Sequence, residues 1–279
     1  MKNVLLSIAT ATALFLTTEA TAQVKLPPAS SSTTITQGLG IKNITLTYQR
    51  PNIKGRKVFG DLVPYNEVWR TGANTIPNIT FEEDVTIEGH TVPAGTYGLF
   101  TIPTPSEWTI ILSKNPKQWG AYQYKQEEDF LRFKVKPKTL TEKVETFTIT
   151  FEDVTTNSTN LSLAWENTKV SFNIKADQTK EIMSSIEKAM QGEKKPYFQA
   201  AQYYYSNNLD IKKAAEWIKL ADEGNTQAPH IKYWKSLILA KAGDKAGAKK
   251  AAEEGIEMAK KANNGEYIKL NSQALNAVK

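Results

Sequence analysis

The spacing of apolar residues along the chain changes near residue 176, and no other sequence feature constrains the fold as much. Before this point apolar and polar residues alternate in short runs, the period-two pattern of half-buried β-strands. After it they recur every three or four residues, as in amphipathic helices. The sequence therefore predicts an α+β protein, with a β domain over residues 23–175 and an all-α domain over residues 176–279.

The β half contains nine β-rich runs separated by turn signals such as Glu88-Gly89 and Glu166-Asn167. Short strands at this spacing predict an antiparallel β-sandwich or a partly closed barrel. The predicted strands are Ile41–Tyr48, Asn78–Phe81, Val85–Ile87, Gly95–Ile102, Trp108–Ser113, Phe130–Val135, Glu145–Phe151, Asn160–Trp165 and Lys169–Ile174.

The helical half is divided by capping residues, because short polar side chains favour the N-cap and proline favours the first helical turn. Six helices are expected. They begin at Asp177 or Thr179, run over Pro196–Asn207, begin after Asp210, run over Pro229–Gly243, begin after Asp244, and run over Gly265–Val278.

Two of these helices carry a related pattern 34 positions apart, Asp-Ile-Lys-Lys-Ala at 210–214 and Asp-Lys-Ala-Gly-Ala at 244–248. This is the period of tetratricopeptide repeats, and small residues at Ala214 and Ala248 allow close helix packing. An unrelated helical bundle with coincident caps is the alternative, since solenoids usually contain three or more repeats. A repeat domain would offer a groove to a protein partner, which we expect to be an envelope protein.

The N-terminus has the pattern of a secretory signal peptide over residues 1–22. Lys2 precedes the apolar run Val4–Leu16, and Ala20-Thr21-Ala22 forms a cleavage site of the A-x-A type. An uncleaved anchor is the alternative, but the run is shorter than the roughly 20 apolar residues that a span needs. We expect an exported protein, periplasmic or extracellular, without a membrane span in the mature chain.

The chain has no cysteine, which excludes disulfides, thiol catalysis and cysteine-ligated metals. The net charge of +6 lies mainly in the C-terminal part of the chain, because residues 175–279 contain 18 lysines and 13 acidic residues, which leaves +5. These lysines alternate with acids, as on a solvated helical surface, and no arginine–aromatic platform accompanies them. Nucleic-acid binding is therefore not expected.

The segment from Arg50 to Asn74, RPNIKGRKVFGDLVPYNEVWRTGAN, combines basic and aromatic residues with prolines and glycines. Such a run must lie largely in loops, where function concentrates. Its arginines are suited to clamp a carboxylate, sulfate or phosphate. Alternatively, they pair with Glu67, Asp61 or backbone carbonyls. The candidate ligand-binding residues are Arg50, Arg56, Trp69, Arg70, Thr71 and Asn74.

Catalytic patterns are missing from the sequence. The two histidines, His90 and His230, belong to no HExxH or paired motif, and no G-x-S-x-G occurs. Acidic triplets such as residues 82–84 point to alternate faces of a strand and rarely converge. We therefore predict no catalytic residue, cofactor or metal. The aromatic side chains of the β half could serve a sugar-like ligand, but Tyr97 and Trp165 in alternating strands favour the core, whereas Trp119 and Tyr122 in a loop suit either role.

Residues 24–174 resemble a family of uncharacterised bacterial envelope proteins. The resemblance rests on residues 50–74, on the following stretch 79–103 (ITFEEDVTIEGHTVPAGTYGLFTIP), on WTIILSK at 108–114 and on LSLAWE at 161–166. It implies export, and a tetratricopeptide-like tail occurs in some members. It implies no activity. The function expected from all these features is non-enzymatic ligand or protein binding, or assembly, in the cell envelope. A hydrolase or carbohydrate-active protein, or a purely structural component, are the alternatives.

Overall fold

A computed structural model describes residues 26–225 and 227–278. The predicted signal peptide, residues 1–22, lies outside this range. The chain divides into two compact units between Ala176 and Asp177. No helix in the described ranges is both long and apolar enough to cross a membrane.

Ten strands form two antiparallel sheets in the first unit. One sheet has the order β1-β2-β3-β6-β7-β8, and the other has the order β5-β4-β10-β9. A short 3-10 helix, Gln126–Glu128, precedes β8. The strands are β1 (Ser31–Leu39), β2 (Lys42–Arg50), β3 (Asn78–Phe81), β4 (Val85–Ile87), β5 (His90–Val92), β6 (Gly95–Ile102), β7 (Trp108–Ser113), β8 (Asp129–Val135), β9 (Lys138–Glu152) and β10 (Ser158–Ala176).

The two sheets share one hydrophobic core, as predicted for a sandwich. Leu46 and Leu99 of the first sheet and Phe147 and Leu163 of the second are buried in the same cluster. Alternation explains this, because every second residue of each strand points to the same face. The sheets are not closed into a barrel. The sandwich prediction is confirmed and the barrel alternative is not.

Three strand assignments need correction. Strand β1 was not predicted, because it is rich in threonine and serine and its outer face is exposed. Strand β5 was not predicted, because it is only three residues long. The two last predicted strands are one strand, β10. Glu166 has φ of 53°, and the pairing with β9 shifts on both sides of it. The sequence Glu166-Asn167 therefore forms a β-bulge rather than a turn.

Six helices form the second unit, as predicted. Asp210 caps α3 by accepting from the backbone N–H of Lys212 at 2.9 Å, and Asp244 caps α5 by accepting from that of Gly247 at 2.8 Å. The first helix begins at Thr179, whose N–H donates to Asp177. The helices are α1 (Thr179–Ala189), α2 (Tyr197–Ser206), α3 (Ile211–Glu223), α4 (Pro229–Lys241), α5 (Lys245–Lys261) and α6 (Gly265–Ala277).

The core of the second unit uses small residues. Ala214 of α3 and Ala248 of α5 are fully buried, which lets neighbouring helices approach closely. A buried ion pair connects α3 and α4: Lys232 Nζ lies 2.8 Å from Asp222 Oδ1. The same ammonium group also contacts Glu254 of α5 at 2.6 Å. Charge as well as packing therefore joins these three helices.

Candidate functional site

Backbone hydrogen bonds attach the segment from Arg50 to Asn74 to both sheets. Trp69 exchanges two such bonds with Thr101 of β6, at 2.7 and 3.1 Å. Near the start of the segment, the N–H of Ile53 donates to the carbonyl of Glu145 in β9 at 2.9 Å. The segment is irregular in conformation but tied at several points, so its side chains are held in place.

The indole of Trp69 is largely a core group. The side chain is 8% exposed, and its ring is stacked on Trp165 of β10 with an interplanar angle of 12°. Phe59 and Phe147 pack edge-on against it. The aromatic cluster anchors the residue that precedes Arg70, and one border of the two stacked rings forms part of a surface cleft.

Two arginines of the segment bond to neutral groups. Arg50 donates to the carbonyl of Phe147 at 3.2 Å and to the hydroxyl of Thr148 at 2.8 Å. Arg56 donates to the carbonyls of Ile53 and Asn52 at 2.8 and 2.7 Å. Neither forms an ion pair with a carboxylate within the described ranges. Among the described residues, therefore, no acid neutralises either positive charge.

Arg70 has no partner among the residues that the structure describes. Its Nε is buried without a hydrogen bond, and its terminal nitrogens make neither hydrogen bonds nor ion pairs there. Arg132 shows the contrast: its guanidinium pairs with Asp129 and donates to the hydroxyl of Tyr124. Unlike Arg132, Arg70 is not engaged in holding the fold together through its charge.

Thr71 and Asn74 contribute to the site differently. Thr71 is fully buried, and its hydroxyl bonds to the Thr101 hydroxyl at 3.0 Å and to the Trp69 carbonyl at 3.2 Å. It therefore supports the segment from beneath and offers no group to a ligand. Asn74 donates to the side-chain oxygen of Gln49 and lies at the surface of the cleft.

Four of the six candidate residues line one cleft of about 570 Å³. They are Arg56, Trp69, Arg70 and Asn74, while Arg50 and Thr71 lie outside its lining. Three cationic side chains face the cleft, and none of its described lining residues is acidic. This arrangement favours an anion. The remaining lining residues are Ala29, Ser30, Pro51, Asn52, Lys54, Leu62, Val63, Gly72, Ala73 and Trp165.

Lys54 and Trp165 also line the cleft, although neither was among the candidate residues predicted from the sequence. Lys54 lies in the same segment, and its basic charge was the available signal. Trp165 comes from the last strand of the β domain, and its period-two position indicated only that it points inward. Its place at the cleft depends on the pairing of distant strands, which has no local signal.

The described lining of the cleft contains neither a serine–histidine pair nor a pair of carboxylates. Ser30 and Asn52 are polar, but no histidine or carboxylate is among the described lining residues. His230 lies in the helical unit, where its ring packs against that of Phe198 with the ring centroids 5.3 Å apart. Throughout residues 26–225 and 227–278, no cluster of three or more histidine, aspartate or glutamate side chains is arranged to hold a metal ion.

Comparison with known proteins gives one match. Neither a curated protein nor a solved structure matches the chain. Residues 30–174 match the family described as Protein of unknown function (DUF2911). This range includes both sheets nearly in full, the segment from Arg50 to Asn74 and most of the cleft lining. Since the match covers more than half of the chain, the protein belongs to the DUF2911 family.

Proposed function

We propose that this protein is an exported, non-enzymatic binding protein whose β domain takes an anionic small ligand in the cleft beside Arg70. The observation that carries the proposal is the guanidinium of Arg70, which has no hydrogen bond or ion pair to any residue that the structure describes. A buried donor without a hydrogen bond costs about 1–3 kcal/mol, so native proteins rarely keep one without a reason. An anion at this guanidinium would supply the charged partner that the described residues do not provide.

The charge around the cleft supports the same ligand class. Lys54, Arg56 and Arg70 converge there, and guanidinium groups bind carboxylate, sulfate and phosphate through paired hydrogen bonds. The volume of about 570 Å³ lies within the usual range of about 300–1,000 Å³ for small-molecule sites. A sugar bearing an acidic group would meet the same requirements as an inorganic anion.

Binding fits the cleft better than hydrolysis does. A glycosidase needs two carboxyl groups, and a serine hydrolase needs a base beside its nucleophile. The described lining has one serine and offers neither a carboxylate nor a histidine. The described lining therefore supplies neither the carboxylate pair of a glycosidase nor a serine–histidine pair, and Lys54 is the one candidate base beside Ser30 in it.

For the helical unit, we propose a tetratricopeptide-like arrangement that binds an envelope protein. The starts of α3 and α5, at residues 211 and 245, keep the 34-residue spacing, and Ala214 and Ala248 are equally buried.

Leu220 of α3 is a large apolar side chain with 41% exposure. A photo-crosslinker at this position should give one discrete product in the cell envelope. The control is the same photo-crosslinker at Glu253, which is also exposed. The proposal would be contradicted if Glu253 gave the same product, or if Leu220 gave none.

Calorimetric titration with phosphate, sulfate and glucuronate tests the proposed ligand class. At least one of these anions should bind, and Arg70→Ala should weaken it by about tenfold or more, since hydrogen bonds to charged groups contribute about 1.5–3 kcal/mol. Lys57→Ala is the matched control. It removes a positive charge from the same segment but outside the cleft lining, so affinity should change by less than about threefold. Equal binding by the wild type and Arg70→Ala would refute the proposal.

A further inference from the structure

A second cleft, of about 410 Å³, lies beside the first. The two clefts share Leu62, Val63, Trp69 and Arg70 in their linings. Arg70 therefore stands between two cavities, and a ligand held on its guanidinium can extend into either one.

The second cleft differs in chemistry from the first. It is formed mainly by apolar and aromatic side chains, among them Leu62, Pro64, Val68 and Tyr122. Apart from Arg70, the charged group among its described lining residues is Glu67. A cavity of about 150 Å³ is enough to hold a benzene ring, so the second cleft has room for an aromatic group. A second anionic group would be repelled there by Glu67.

Tyr122 is 84% exposed, and the backbone of its loop is held in place. Gly120, with φ of 68°, brings the backbone so close that a Cβ there would lie 2.7 Å from the ring. The N–H of Gly120 donates to the carbonyl of Asn74 at 2.8 Å, and that of Ile76 donates to Gln118 at 3.2 Å. These bonds attach the loop of Tyr122 to the segment that carries Arg70.

We propose that the ligand is an amphipathic oxyanion, with its anionic group on Arg70 in the first cleft and an aromatic or other apolar group in the second. This inference rests on the proposed function and specifies its ligand. Leu62 and Tyr122 determine specificity by contacting the apolar group, while Arg70 holds the anion. A ligand with both parts buries apolar surface that a simple anion does not, and so binds more tightly.

Inorganic phosphate and 4-nitrophenyl phosphate are the probes, because they differ by the aromatic ring. The wild type should bind the aryl ester about tenfold or more tightly than phosphate, because the ring removes apolar surface from water in the second cleft. Tyr122→Ala should remove most of this advantage and leave phosphate affinity unchanged. Leu62→Ala should reduce it in the same direction. Trp119→Ala is the control, since Trp119 is 63% exposed on the same loop but lines neither cleft.

The outcomes separate this inference from the proposed function. If phosphate binds through Arg70 but the aryl ester binds no more tightly, the second cleft has no part in binding and the inference is wrong. An aryl advantage that survives both Tyr122→Ala and Leu62→Ala would also overturn it. If neither probe binds, this inference fails, and the proposed function fails with it only when sulfate and glucuronate do not bind either. Release of 4-nitrophenolate, followed by absorbance, would instead show turnover and contradict a non-enzymatic role.

Discussion

The indole rings of Trp69 and Trp165 are stacked, with an interplanar angle of 12° and centroids 5.8 Å apart. Trp69 belongs to the irregular segment that follows β2, and Trp165 belongs to β10 of the other sheet. Because Trp69 precedes Arg70, this contact connects the sandwich core to the guanidinium beside the cleft. The position of Arg70 thus depends on aromatic packing between parts of the chain that are far apart in sequence.

Trp69→Ala is expected to destabilise the β domain by about 3–5 kcal/mol, the usual loss for truncating a buried tryptophan. The substitution removes the stacked contact with Trp165 and the edge contacts with Phe59 and Phe147. Urea unfolding measures the effect. Trp119→Ala, at an exposed position, should change stability by no more than about 0.5 kcal/mol. Comparable losses in the two variants would show that Trp69 is not an anchor.

Gly72→Ala is expected to destabilise the protein by about 1–3 kcal/mol. Gly72 has φ of 142°, and a Cβ there would lie 2.9 Å from the carbonyl oxygen of Gln49. Gln49 also accepts from Asn74, so anion binding should weaken too. Gly55→Ala is the comparison, because Gly55 has φ of 74° but nothing within 4 Å. Thermal unfolding should show a clearly larger loss of stability for Gly72→Ala than for Gly55→Ala. A larger loss of stability for Gly55→Ala would contradict this explanation.

Local patterns predicted much of the fold. The alternation of Phe147 and Ile149 with threonines is visible in the sequence and places both in the core. The caps at Asp210 and Asp244 were also readable, since an N-cap bonds only to its own first turn. The bulge at Glu166 could not be predicted, because the same residue types occur in turns and in bulges. Which of the two forms depends on the pairing with the partner strand.

The candidate site was predictable in its location but not in its details. A run of arginines among prolines and glycines indicated a loop site, and Arg56, Arg70 and Asn74 do line one cleft. The sequence could not show that Arg50 bonds to β9 while Arg70 bonds to no described residue. These differences depend on tertiary contacts with residues more than 90 positions away, such as Phe147 and Trp165.

Acid should weaken the helical unit through Asp222, which is 6% exposed like its partner Lys232. Burial alone would raise the pKa of Asp222, but hydrogen bonds from Lys232 and Lys235 outweigh burial and lower it. Because the folded-state pKa lies below the unfolded value of about 3.9, the stabilisation is complete above that pH and is lost as pH falls through the folded pKa.

Asp222→Asn tests this ion pair. Breaking a buried pair on one side costs about 3–5 kcal/mol, so the variant should be less stable than the wild type at pH 6. The difference should shrink at pH 3, which lies below the unfolded-state pKa of about 3.9, because the unfolded wild-type chain then takes up a proton at Asp222. Urea unfolding followed by circular dichroism at 222 nm reports on the helices. A difference that stays constant between the two pH values would contradict the assigned role of Asp222.

Nuclear magnetic resonance of the arginine Nε–H groups tests most directly whether Arg70 binds the anion. The chain has only four arginines, Arg50, Arg56, Arg70 and Arg132, so these signals can be resolved and assigned by substitution. During titration with phosphate or 4-nitrophenyl phosphate, the Arg70 signal should shift and saturate, whereas that of Arg132, paired with Asp129, should stay in place. An Arg70 signal that does not move while the ligand binds would contradict the account.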